Sequence, residues 1–178
     1  IPDGQISVDI TLTAIDDIQA EPAETIQLNL ASGTGYAISS TNNNATVTIT
    51  ANDLVVTNTN DSGEGSLRQA ILNANANPGT DTITFAGVFT DTTPDVITLT
   101  SRQLSVTDGL IIQGTGADKL TIRGNSDNTT GFRVINATAP LIIDGATITG
   151  GNAVGGNGGG IRSTSDLTLL NSIVSGNK

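Results

Sequence analysis

The chain has no cysteine, methionine, histidine or tryptophan. Zinc sites of the Cys/His kind are therefore excluded. So are a Ser-His-Asp triad and a cysteine nucleophile, and a histidine proton switch. Without cysteine there is no disulfide framework, and thiol usage does not report the redox compartment. Positive charge is scarce: 7 lysines and arginines stand against 17 acids, a formal net charge of −10. Such a surface repels phosphate backbones, which argues against nucleic acid as a partner. It suits cation binding, and equally a surface that is merely solvated. Long apolar runs are also missing. "GLII" and "PLII" fall far short of the roughly 20 residues of a spanning helix, so no membrane insertion is expected within this segment.

What is present is Gly, Thr and Asn, with Ile, Leu and Val at regular places. Charged residues are only 13% and aromatics 2%, yet the aliphatic regularity is not that of a disordered chain. The mixture points to an all-β fold with an aliphatic core and Gly/Asn turns. The 178 residues open without Met, in the middle of a strand-like run, and stop at "SGNK" without a terminating pattern. This reads as an internal piece of a longer polypeptide or a processed product.

The pattern divides at "ITANDLVVTNTNDSGEG". Residues 1–53 carry three alternating runs, "QISVDITLTAI", "ETIQLNLAS" and "NATVTITA". Ile26, Leu28 and Leu30 share one face, as do Val47 and Ile49. This is β-sandwich patterning, but three strands do not close a sandwich. From residue 54 the pattern changes. "SLRQAILNANAN" is the only helical stretch. Ser66 is its N-cap, and Gln69 three residues on completes a capping box. Leu67, Ala70, Ile71 and Ala74 make one apolar stripe, and Asn77-Pro78-Gly79 ends it.

A repeat follows. "LIIQG", "LIIDG" and "LTLLN" begin at Leu110, Leu141 and Leu167; "LTIRGN", "ATITGGN" and "NSIVSGN" begin at Leu120, Ala146 and Asn171. "GFRVI" and "GGGIRS" supply a third element. Three short strands recurring every ~25–30 residues mark a solenoid, here a right-handed parallel β-helix. Leu110, Leu141 and Leu167 should stack as one inner ladder, and Ile122, Ile148 and Ile173 as another. Asn125, Asn152 and Asn177 should form an Asn ladder at a bend. A solenoid needs a capped end, so the helix is expected to plug the first turn, with Leu67, Ile71 and Ala74 inward and Arg68 and Gln69 in water.

Two resemblances follow from these words. "IPDGQISVDITLTAIDD", "EPAETIQLNL" and "ATVTITAND" resemble the C-terminal half of a Calx-β domain. That resemblance implies calcium at one end of the sandwich, with Asp16, Asp17, Glu21 and Asp53 as ligands. The family's C-terminal Asp run reads Ala51-Asn52-Asp53 here. "VVTNTNDSGEGSLRQAILNANANPGTDTITF" with the strands after it resembles CSLREA-type β-helix domains, pectin-lyase-like in fold, of bacterial secreted and surface proteins. The expected organisation is thus 1–53, a partial Calx-β-like sandwich, and 54–178, a helix-capped β-helix.

A catalytic dyad in a solenoid would show as acids one rung, ~25–30 residues, apart. Asp118 and Asp144 are 26 residues apart but differ in motif position; Asp144 aligns with Gln113 and Asn171 and stands alone. Lys119, Arg123, Arg133 and Arg162 scatter over different faces. The reading leans away from an enzyme, with no catalytic residues assigned. The function expected is a structural or adhesive segment of a large extracellular or cell-surface protein. Its partners would be further copies in a fibre or neighbouring domains of the same chain. The alternative is a polysaccharide-binding or lyase-like module with glycan partners.

Overall fold

The structure, a computed structural model, describes residues 11, 24–35, 37–38, 40–41, 43–49, 54–124 and 131–178. They fall into two units, one holding the first two strands and the other running from residue 54 to 178. In the first unit β1 (Glu24–Asn29) pairs antiparallel with β2 (Asn44–Ile49). Ile26 stands opposite Val47 and Leu28 opposite Ala45. The first of the three expected strand runs, with Asp16, Asp17, Glu21 and Asp53, lies outside the described residues.

The second unit is all-β apart from one α-helix and a short 3-10 turn. It opens with β3 (Val55–Val56) and α1 (Leu67–Ala76). Next come β4 (Asp81–Phe85), β5 (Asp95–Leu99) and β6 (Leu104–Val106). A second set follows: β7 (Leu110–Gln113), β8 (Leu120–Gly124) and β9 (Ile135–Ala137). A third comprises β10 (Leu141–Asp144), β11 (Thr147–Thr149) and β12 (Ile161–Ser163). β13 (Leu167–Leu170) and β14 (Ile173–Val174) complete the described strands.

Consecutive strands from β4 onward join different sheets, and the chain returns to the same sheet at every third strand. The sheets run β3-β4-β7-β10-β13, β5-β8-β11-β14 and β6-β9-β12. Every pairing in them is parallel. We call each set of three a rung. Alternation decides which side chains go inward. Ile83, Ile112, Ile143 and Leu169 stand in register, as do Ile97, Ile122, Ile148 and Val174. The buried members of these columns, with the apolar stripe of α1, form one hydrophobic cluster. Burying each such side chain contributes about 1.5–3 kcal/mol.

Leu110, Leu141 and Leu167 are in register. The second expected ladder needs a correction. Val174, not Ile173, stands opposite Ile148; Ile173 is opposite Thr147. The sequence alignment let the interval shrink by one residue, whereas the strands keep it constant. A one-residue change of register exchanges the two faces of a strand.

The Asn ladder is displaced in the same way. The Asn177 side chain accepts from Gly151 N at 2.9 Å and donates to Ile148 O at 3.0 Å, while Lys178 N donates to Gly151 O. Asn177 is thus level with Gly151 rather than Asn152, whose own N–H donates to Phe132 O at 2.9 Å. Asn125 lies outside the described residues. Likewise Leu170, not Asn171, stands opposite Asp144. Asn171 instead turns through a positive φ of 45° and its amide donates to Asp144 Oδ1 at 2.9 Å.

Candidate functional site

The polar chemistry of the second unit gathers where residues 54–76 meet the first rung. Ser66 adopts extended backbone, and its Oγ accepts from Gln69 N at 3.2 Å, starting α1. The reciprocal half of the expected capping box is absent. Ser66 N donates to Gly63 O, and the Gln69 amide donates to Asn73 Oδ1 at 2.8 Å, one helical turn on. Gly65 allows this entry: its carbonyl accepts from both Thr57 N and Asn58 N while its φ is +69°. Leu67, Ala70, Ile71 and Ala74 are each at most 2% exposed and lie on the core.

Arg68 is not in water as the helical pattern implied. It is 8% exposed, and its guanidinium is consumed by the backbone around it. Nε donates to Asp61 O at 2.9 Å, Nη1 to Gln103 O at 2.9 Å and Nη2 to Arg102 O at 2.7 Å. Nη2 also pairs with Asp61 Oδ1 at 2.6 Å. Asp61 Oδ2 in turn accepts from Ser101 N at 2.9 Å and Thr100 Oγ1 at 3.0 Å. Partial burial pushes the Asp61 carboxyl up. The hydrogen bonds from Arg68, Ser101 and Thr100, with the Arg68 charge, outweigh this and lower it to about 2.

Seven residues along, Asn75 repeats the device. Its Nδ2 donates to Ser105 O at 2.8 Å, and its Oδ1 accepts from Thr107 N at 2.8 Å and Asp108 N at 3.3 Å. β6 is the edge strand of its sheet, and an open edge offers rows of unpaired backbone groups. Two turns of helix advance about 10.5 Å, and Gln103 to Thr107 spans about 13 Å of strand. The long Arg68 side chain spans the difference, so two helical side chains stand in for a neighbouring strand. On the first sheet β3 does the same with backbone, pairing Val55 with Thr84 and Val56 with Phe85.

Between α1 and β6 runs a groove of about 630 Å³, lined by Ile71, Leu72, Leu104 and Phe132 with Arg102 and Gln103. Arg102 is exposed. Comparison of the chain with protein-family models, curated proteins and solved structures found no match.

Asp118 is exposed in a turn and Asp144 is half-buried under the Asn171 amide. Among the described residues no three acids gather as a metal-binding group, and no helix is long and apolar enough to cross a membrane. Sequence reasoning missed Asp61 and Asn75. The available signal was that Arg68, Leu72 and Asn75 share one flank of the helix, beside the apolar stripe.

Proposed function

We propose that this chain is a structural segment of a large secreted bacterial surface or matrix protein, built around a helix-capped parallel β-helix. One observation carries the reading: strands return to the same sheet every third element, in register, with β3 beside β4 and α1 side chains on the β6 edge. Parallel crossovers are right-handed in almost all proteins, and the proposed β-helix takes the same hand. Each rung then adds about 4.8 Å of stiff rod. The CSLREA-type resemblance of 54–178 and the Calx-β-like words of 1–53 agree with a surface setting, and the acidic composition with an extracellular one. Calcium at Asp16, Asp17, Glu21 and Asp53 belongs to the same proposal.

The test is particle mass by light scattering, in calcium and then in EDTA, together with turnover of uronic-acid polysaccharides. The structural reading expects no turnover, and calcium-dependent assembly if the chain forms fibres. Sustained cleavage would overturn it. The groove beside Arg102 favours a second reading, glycan binding, which predicts saturable binding of acidic polysaccharide that Arg102→Ala abolishes.

A further inference from the structure

The Leu110–Leu141 ladder does not continue as leucine into the first rung. There the register position belongs to Asp81. Asp81 lies on the same strand face as the fully buried Ile83 and is itself 9% exposed. Its Oδ1 accepts from Asn77 Nδ2 at 2.9 Å. Its Oδ2 is buried without a hydrogen-bond partner. Among the described residues the one ion pair is Arg68–Asp61, so no base compensates this carboxylate. Asn77 is also the C-cap of α1, whose last turn holds no basic residue. A helix C-terminus carries partial negative charge and free carbonyls. A buried carboxylate beside it, with one oxygen unmet, is costly unless a positive group completes it.

The same corner holds a second carboxylate. Asp108 Oδ2 accepts from Gly79 N at 3.2 Å and Oδ1 from Gly109 N at 2.7 Å, while Asp81 N donates to Gly109 O at 3.1 Å. Residues 77–81 and 108–109 therefore bring two carboxylates and the Asn77 side chain to one corner. Carboxylate oxygen is the donor type of a hard cation.

We propose that this corner is a calcium site, with Asp81 Oδ2 as the buried ligand and Asp108 as the second carboxylate. It is separate from the four acids of the N-terminal unit. Two carboxylates place it at the weak end of calcium affinities, about 10⁻⁴–10⁻³ M. Magnesium, which holds its waters and demands a tighter octahedron, is the poorer fit.

The test is thermal unfolding of the whole chain in EDTA, millimolar CaCl₂ and millimolar MgCl₂. Calcium at several times its dissociation constant should raise the midpoint of the second unit's transition by about 3 °C. Asp81→Asn should abolish the rise, Asp108→Asn should reduce it, and the double change Asp16→Asn/Asp17→Asn should retain it. Magnesium should give less. A full calcium shift in Asp81→Asn, or none in the wild type, overturns the site. So does an Asp81→Leu chain more stable than wild type in both EDTA and calcium, since the carboxyl would then serve no cation. Should the Asp81 variants not fold, Asp108→Asn decides alone: an undiminished shift refutes the proposal.

Discussion

Arg68 shows how much one residue can carry at the covered end. It serves two backbone carbonyls of the edge loop and the carboxylate and carbonyl of Asp61. Removing it leaves those acceptors partly buried and unmet. Arg68→Ala should therefore destabilise the second unit by about 3 kcal/mol, read by urea unfolding. The partner sets a pH dependence. Asp61 titrates lower in the folded chain than in the unfolded one, so its contribution is complete above about pH 4. That contribution falls away as the pH drops toward about 2, the folded value. Arg68→Ala should flatten this stretch of the stability profile. The Ser66 cap was readable from sequence because capping is local. The fate of Arg68 was not, because two of its acceptors lie 34 and 35 residues away.

At the scale of the strand, parity rules. Ile148 is fully buried, whereas its neighbour Thr147 faces outward. Ile148→Ala should cost about 2–5 kcal/mol. On the outer face of the adjacent rung, Thr121→Ala should change stability by no more than about 0.5 kcal/mol. Chemical denaturation of the two variants checks the pair. The ladders of β7, β8, β10 and β11 were visible in the sequence because each strand repeats an isoleucine at the same inward position. The last rung was misread at Ile173, Asn171 and Asn177, where "IV" offers two apolar residues side by side. Only the backbone register chooses between them. Asp81 was hidden for the opposite reason: "DTITF" looks like a strand with a polar lead-in, and nothing local shows that its first residue points inward.

For the molecule as a whole, the segment 54–76 decides how the stack behaves toward its surroundings. A chain lacking it should bare the β4 and β6 edges and the apolar floor beneath α1. It should then associate, giving a light-scattering mass above that of the intact chain at the same concentration. The period of the repeat is matched by the return to the same sheet at every third strand, and the lone helical pattern by α1 beside the β6 edge. The antiparallel pairing of β1 with β2 agrees with the alternation in residues 24–49, but the remaining strand and the four acids of that half lie outside the described residues.

Covering two of the three first-rung strands also makes the two ends of the stack unlike. At the first rung β4 lies beside β3 and the β6 edge is met by Arg68 and Asn75, while among the described residues β5 ends its sheet with no strand on its outer side. A copy stacked end to end on the first rung would therefore have β5 alone of its three strands to pair with.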